Sequence, residues 1–534
     1  MIIFAVLTLA AGALSAVIML RPETLRPSVL GLLILGFGFA EFNGLGSALP
    51  IGIQSGSILE TLLHGALAAL VIGAVMAGAW AIRRHIEVVV VALFGAMMIA
   101  TVLFSPAVND PWSTRGREVA VLNKTTTPIK PLPPILHIIL DQHIGIDGLP
   151  PKFIGSQTLR PVLREFYQSF GFRLFPSAFT HFPATVESIT NLLNGRVLPG
   201  ASAYVKGDPG AVRLMKNAWF RQLAARGYQI DVYQSRYLDF CAPGSDAFNL
   251  VQSCHTYNQG DVRYFHRMNI APQAKAKLLF AYFVSVDFQG VMSRLLYFHH
   301  RLRLWLGSAG IDLAPWEFTP TSPSPLVTMD AMSRLSQRLE TLRNGEALFA
   351  HLLLPHEPYV FDRRCHLSSS WTGRRSPLWI FNVGDTPERW AARYRAYLDQ
   401  IRCVHAKLGG ILIKMRNLGL LEKSIIVIHG DHGSMIPAKD VVSLNAGKLS
   451  ERDIIDIYST LFAVKMPGAA SGNIAEQRSI QYLFAHQVAG WTNVKPHNDI
   501  FLAPNNGVVG PGQIRRGMVS FGAATENRSS GAER

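Results

Sequence analysis

Ile425-Ile426-Val427-Ile428-His429-Gly430-Asp431-His432-Gly433-Ser434 is the stretch on which the fold reading turns. Four β-branched residues in a row predict a buried strand. The glycines flanking Asp431-His432 predict a tight turn that presents a carboxylate beside an imidazole. Both groups suit zinc or manganese, and a strand end holds them more rigidly than a loop tip. Taken alone, the same residues also fit an Asp that caps a helix and a His that is merely polar.

A second strand-length run, Ile135-Leu136-His137-Ile138-Ile139-Leu140, leads straight into Asp141-Gln142-His143. An acidic residue again stands at the carboxyl end of a strand, the edge where open α/β sheets place ligands. Asp141 is therefore a candidate metal ligand, with a helix cap as its alternative. Further apolar runs, Ile230 to Tyr233 and Leu348 to Leu354, alternate with helix-length amphipathic segments at 212–226, 389–418 and 451–464. This alternation predicts an α/β domain with a largely parallel sheet and helices on both faces.

In Thr185-Val186-Glu187-Ser188-Ile189-Thr190-Asn191-Leu192-Leu193, the residues Ile189, Leu192 and Leu193 share a helical face, and Gly195 suits the stop. Thr185 at the helix start is either an ordinary N-cap or a nucleophile aimed at an anion held by the amides and dipole. His356 lies just past a buried strand in Pro355-His356-Glu357-Pro358-Tyr359. It is a candidate to bind phosphate or donate a proton, against the alternative of capping local backbone. His429 is read as a structural neighbour of the Asp431 pair or a residue orienting a ligand.

At the scale of the chain, 49% hydrophobic and only 16% charged residues over 534 positions is too apolar for an ordinary soluble enzyme. The excess lies in residues 1–104, in apolar runs at 2–20, 28–42, 57–80 and 86–104. At about 1.5 Å per residue the first, third and fourth can cross a hydrocarbon core of about 30 Å. The second carries Glu41 and several glycines. The first run lacks a basic start and is followed by more spans, so it reads as a retained helix. Arg21 and Arg26, and then Arg83 and Arg84, mark two inward-facing breaks, which leaves both ends outside. The expected organisation is a transmembrane region of about four helices (1–104), a Pro-rich linker (105–134), an exported catalytic domain (135–512) and a disordered tail (513–534). The stretch 274–306 reads as an amphipathic helix against the bilayer or as a buried core helix.

Cys241, Cys254, Cys365 and Cys403 all fall in the exported part, consistent with two disulfides in an oxidising compartment. Local pairing, Cys241 with Cys254 and Cys365 with Cys403, is expected among three connectivities. The net charge of +15 comes from scattered Lys and Arg with no arginine-rich tract, which argues against nucleic acid and for anionic lipid or acidic glycan.

Asp141 after a strand, Thr185 opening a helix that ends in Leu192-Leu193-Asn194-Gly195-Arg196, and the late Gly430-Asp431-His432-Gly433 together resemble the alkaline phosphatase superfamily in its sulfatase-like branch. Counted back from the glycine of Leu-x-Gly-Arg, Thr185 falls on the position of the sulfatase formylglycine precursor. Sulfatases carry Cys or Ser there, with Pro and Arg two and four positions on. Thr185, Glu187 and Ile189 stand in those places here, so a formylglycine sulfatase is not expected. A threonine nucleophile, N-terminal spans and an exported disulfide-bearing domain are similar instead to lipid A phosphoethanolamine transferases and lipoteichoic acid synthases. Those families move a phospholipid headgroup phosphoryl unit through a phosphothreonine ester.

The resemblance implies an alkaline-phosphatase/sulfatase-like α/β/α sandwich in which Asp141, Thr185, Asp431 and His432 bind one divalent ion, zinc or manganese. Transferase relatives often carry Glu where Asp141 stands. Thr185 would attack, the headgroup alcohol would leave, and His356 would bind phosphate or protonate the leaving oxygen. The implied partners are a membrane phospholipid donor and an envelope glycan or lipid acceptor, with an integral membrane protein in a bacterial cytoplasmic membrane and its catalytic domain on the extracytoplasmic side. A two-zinc phosphodiesterase is the alternative, with Asp362, His366 and His497 around a second ion. Other hydrolases of the superfamily and a non-catalytic membrane protein are the remaining readings.

Overall fold

A computed structural model describes residues 112–116, 132–197, 204–206, 212–257, 306, 324–367, 387–436, 450–496, 499–501 and 518–520. The predicted spans within 1–104, the stretch 274–306 apart from Leu306, and His497 lie outside the described residues. Among the described residues no helix is long and apolar enough to cross a membrane. The chain divides into two compact units, 1–109 with 265–321 and 110–264 with 322–534. The described residues, Leu306 aside, belong to the second.

In chain order that unit runs β1 (Trp112–Gly116), β2 (Ile135–Leu140), α1 (Ile154–Ser169), β3 (Arg173–Leu174), α2 (Thr185–Leu193), β4 (Tyr204–Lys206), β5 (Val212–Leu214), α3 (Ala218–Ala225), β6 (Gln229–Ser235), β7 (Leu238–Asp239) and β8 (Val251–Tyr257). It continues through α4 (Ser324–Arg338), β9 (Glu346–Leu352), α5 (Pro387–Asn417), β10 (Ile425–Gly430), α6 (Glu451–Tyr458), β11 (Phe462–Lys465), β12 (Gly472–Asn473), α7 (Ile480–Phe484), β13 (Asp499–Phe501) and β14 (Met518–Ser520). Nine strands form one sheet in the order β1-β8-β6-β9-β2-β10-β11-β3-β12. Its centre, β8-β6-β9-β2-β10, is parallel throughout, while β1 and β11 add antiparallel neighbours.

Side-chain alternation divides the sheet between two helical layers. Ile135 and Ile139 of β2 join Val427 of β10 and Phe349 of β9 in one cluster with Ile189 and Leu192 of α2, Trp219 and Phe220 of α3, and Leu483 and Phe484 of α7. Each such fully buried side chain contributes about 1.5–3 kcal/mol relative to exposure. The intervening residues Leu136, Ile138 and Leu140 are equally buried on the other side. There α5 packs against both α1 and α4, and α4 lies on β9. Because β2 and β10 are buried on both faces, they read in the sequence as continuous apolar runs.

Two predicted helices are each divided between a strand and a helix. The segment 212–226 begins as β5, and its helix starts only after Asn217, whose side chain accepts from Phe220 N at 3.0 Å. The segment 451–464 is helical to Tyr458, turns extended at Ser459, and re-enters the sheet as β11. Within the expected linker, Trp112–Gly116 pairs along β8 as an edge strand. Within the expected disordered tail, Met518–Ser520 pairs antiparallel with Asp499–Phe501, since backbone pairing there needs no apolar run. Disulfides join Cys241 to Cys254 and Cys365 to Cys403, the local pairing expected.

Candidate metal centre

Parallel pairing of β10 with β2 sets Gly430 opposite Leu140, so Asp431 and Asp141 emerge side by side from the carboxyl edge of the sheet. The glycines around Asp431 are dictated by close approach. A Cβ on Gly430 would stand 2.5 Å from the His143 carbonyl oxygen, and one on Gly433 would stand 2.1 Å from that of Asp456. Only hydrogen fits there, which explains why glycine brackets the Asp-His pair.

Asp141, Asp431 and His432 bring one ligand atom each within 4.8 Å of one another, and all three are buried. Thr185 completes the group. Its Oγ1 lies 3.4 Å from Asp141 Oδ2 and 3.3 Å from His432 Nε2. His432 Nε2 also stands 3.3 Å from Asp431 Oδ2 and 3.9 Å from Asp141 Oδ1. The His432 Nδ1 lies 3.1 Å from the Gly433 carbonyl, which can only accept, so Nδ1 carries the proton and the Nε2 lone pair faces the carboxylates.

The unsatisfied atoms point the same way. Asp431 Oδ1 accepts from the main-chain N–H groups of Gln142 and His432 at 2.9 and 2.8 Å, while its Oδ2, like Asp141 Oδ1, is buried with no hydrogen-bond partner. Buried carboxylate oxygens without partners are costly unless a cation faces them. Two carboxylates, a hydroxyl and an imidazole lone pair converging on one point form a donor set that fits a single zinc or manganese ion.

The Asp141 carboxyl is held at about 2: burial alone would raise it, but the imidazoles of His356, His351 and His432 outweigh that. The turn behind it is tied down twice. Gln142 adopts a left-handed φ of 61°, a conformation that costs about 1–3 kcal/mol away from glycine. Tyr397 of α5 holds it by donating to the Gln142 carbonyl at 2.6 Å and accepting from Ile144 N at 2.9 Å.

Thr185 stands at the first turn of α2, where the preceding residue, Ala184, makes no side-chain cap. The first amides of that helix thus receive no cap from the preceding side chain, the kind of helix start at which an anion is favoured. Ser188, one turn on, donates to the Asp431 carbonyl at 2.6 Å, and Gln481 and Thr180 lie against the Ser188 hydroxyl at 3.3 and 2.9 Å. Glu187, in the place of the sulfatase proline, accepts from Tyr204 OH at 3.1 Å.

His356 is half-buried. Its Nδ1 donates to the Glu357 carbonyl at 2.6 Å, so Nε2 is the ring nitrogen which that bond does not use. His429 is fully buried away from the ligand group. Its Nδ1 donates to the Gly430 carbonyl at 2.7 Å, and its Nε2 meets His137 Nε2 at 2.8 Å. Asp362 and His366 do not join the group. Asp362 Oδ1 accepts from the main-chain N–H groups of Arg364 and His366, in an exposed turn that the Cys365–Cys403 disulfide closes. Among the described residues no second acidic or imidazole cluster of this kind occurs.

Sequence reasoning missed His351. It is fully buried in β9, with Nε2 3.4 Å from Asp141 Oδ2. Register places His351 and His429 on either side of Ile139 in one row across β9, β2 and β10. A lone imidazole inside an apolar strand was the available signal, because burying it unpartnered is unfavourable.

No protein-family model matches the chain, and no curated protein matches it in sequence. Among solved structures it is similar to the lipoteichoic acid synthase LtaP from Listeria monocytogenes, with a TM-score of 0.37 and 12% identity over 68% of this chain and 72% of that one. It is similar also to the C-terminal periplasmic domain of EcEptC from Escherichia coli in complex with Zn, with a TM-score of 0.40 and 10% identity over 74% of this chain and 93% of that one. A protein in the alkaline phosphatase superfamily from Vibrio parahaemolyticus aligns with a TM-score of 0.34 and 11% identity over 66% of each chain.

Proposed function

We propose that this protein is a membrane-anchored, metal-dependent phosphotransferase that moves a phospholipid headgroup phosphoryl unit to an envelope glycan or lipid through a phosphothreonine at Thr185. The observation that carries this reading is the convergence of the Thr185 hydroxyl, at an uncapped helix start, with the unsatisfied carboxylate oxygens of Asp141 and Asp431 and the lone pair of His432.

Asp141, Asp431, His432 and Thr185 would hold one divalent ion, zinc or manganese. Bound there, it would lower the pKa of the Thr185 hydroxyl and offset charge on the phosphoryl oxygens. The chain's own groups account for the rest. The first amides of α2 receive a phosphoryl oxygen, and the Ser188 bond to Asp431 keeps the nucleophile aligned with the ligands. Thr185 Oγ, its proton released to solvent, forms the new P–O bond. Atom balance corrects the leaving group expected from the sequence: if phosphoethanolamine or phosphoglycerol is to remain on Thr185, the bond that breaks is the one to diacylglycerol. The diacylglycerol oxygen takes a proton from His356 Nε2, the ring nitrogen that the Glu357 bond does not use. The acceptor hydroxyl then attacks the phosphothreonine, returns its proton to His356, and releases the Thr185 oxygen as the leaving group. A donor held in the bilayer favours an active site held beside it, which is the place we assign to residues 1–104 as a multi-pass anchor in a bacterial cytoplasmic membrane, with the catalytic unit outside.

The test uses the full chain in membranes supplied with phosphatidylethanolamine or phosphatidylglycerol radiolabelled in the headgroup. Label should appear on Thr185 after acid quench and then on glycan or lipid acceptor, and Thr185→Ala should abolish both even when saturating zinc offsets the lost hydroxyl ligand. Turnover in Thr185→Ala would refute the covalent route. Label passing only to water would assign a hydrolase instead.

A further inference from the structure

Helix α5 holds both loops of the site through residues one turn apart. Tyr397 ties the Asp141 turn, as described above. Gln400, fully buried, spans the whole His356 loop with one carboxamide. Its Nε2 donates to the carbonyls of Pro355, His356 and Pro358 at 3.1, 2.9 and 3.4 Å. Its Oε1 accepts from the main-chain N–H groups of Val360 and Phe361 at 2.9 and 3.4 Å. Three residues further along the helix, Cys403 is bonded to Cys365 at the end of the same loop.

This loop carries no helix or sheet ladder between β9 and its closing turn. Its buried carbonyls and amides therefore need partners from elsewhere, and Gln400 supplies both kinds. No charged side chain could do so, because a carboxylate cannot donate and an ammonium cannot accept. We infer that Gln400 is the positioning residue for His356, fixing its peptide on the same helix that indexes the metal ligand Asp141. The separation between metal group and proton donor is then set by α5 rather than by the loop itself. This inference rests on the role given to His356 above.

The test compares diacylglycerol release by the full chain in mixed micelles of phosphatidylethanolamine and phosphatidylglycerol. His356→Ala should lower kcat by about 10²-fold, the scale of a lost general acid. Gln400→Leu should approach that loss with zinc content unchanged. The double variant should be no slower than His356→Ala alone, since a residue acting through another loses nothing further once that other is gone. Gln400→Glu guards against misfolding of the leucine variant. Its neutral carboxyl keeps one donor and one acceptor, so its activity should be near wild type at low pH and fall as the carboxyl ionises against three carbonyls. Losses that multiply in the double variant, or a Gln400→Glu pH profile identical to wild type, would overturn the positioning role. Full activity in His356→Ala would instead remove the reading on which it rests.

Discussion

Ser188 donates to the main-chain carbonyl of Asp431 at 2.6 Å, so one hydrogen bond joins the helix that begins with Thr185 to the strand end that carries the candidate metal ligands Asp431 and His432. The donor is fully buried, as are the Gln481 and Thr180 groups around it. Ser188→Ala leaves the Asp431 carbonyl unpaired in the interior, at an expected cost of about 1–3 kcal/mol. Zinc affinity should fall with it, because the Thr185 hydroxyl and Asp431 lose their common register. Chemical denaturation and a zinc titration of the full chain in detergent measure the two effects; a variant with wild-type affinity would show that the bond is structural only.

Asp431 divides its work between its two oxygens. Oδ1 is committed to the amides of Gln142 and His432, while Oδ2 is free for a cation. Asp431→Asn keeps an oxygen that can accept from both amides, so the turn should still form. It replaces the free oxygen with a group that cannot ligate and removes the charge. The expected outcome is a folded protein whose zinc affinity drops by more than about 100-fold, beyond what loss of an outer-shell partner brings. Metal analysis after dialysis checks this, with the circular dichroism spectrum as the control for folding.

The glycines make a separate prediction. In Gly433→Ala the new Cβ would meet the Asp456 carbonyl at 2.1 Å, and backbone on both sides has no flexible end to swing aside. Asp456 is itself fixed by Tyr394 at 2.8 Å and Ser434 at 3.0 Å. Destabilisation at or above the upper part of the usual overpacking range, about 3 kcal/mol, is expected from a urea melt. Gly410, in α5 with open space around it, is the control and should tolerate alanine.

The strands that carry the site were legible because they are buried on both faces. Ile135–Leu140 and the core of Ile425–Gly430 stand where the apolar runs placed them, and Thr185–Leu193 is helical over the span its face and its glycine indicated. Asp141, Asp431 and His432 stood out singly as residues following strand ends and Thr185 as the start of a helix, but their grouping into one site came from the resemblance of the motifs to a known superfamily. His351, Tyr397 and Gln400 did not stand out. His351 is a single polar residue in an apolar strand, Tyr397 and Gln400 are two among many polar residues of α5, and the partners of all three are main-chain groups or a carboxylate distant in the chain, which no local spacing encodes. The helices at 212–226 and 451–464 were overextended for a related reason: β5 and β11 are too short for period-two alternation to stand out from a helical pattern.

A last prediction concerns acid. His405 of α5 is buried, donating from Nδ1 to the Ile401 carbonyl at 3.0 Å while Tyr167 OH meets its Nε2 at 3.1 Å, an arrangement made for the neutral ring. Burial lowers its pKa to about 3, helped by the neighbouring His143 and opposed by the Ile401 bond. An unfolded chain would take up that proton near 6.5. Protonation therefore favours unfolding: the contribution is fully present above about pH 6.5 and is lost as pH falls from there toward 3. The slope for one such group is about 1.4 kcal/mol per pH unit, so moving from about pH 6.5 to about pH 5 should remove about 2 kcal/mol. His405→Gln keeps a donor for Ile401 and an acceptor for Tyr167 but does not titrate. Its urea-denaturation stability should lose correspondingly less over the same interval, and equal acid sensitivity in the two proteins would place the titrating group elsewhere.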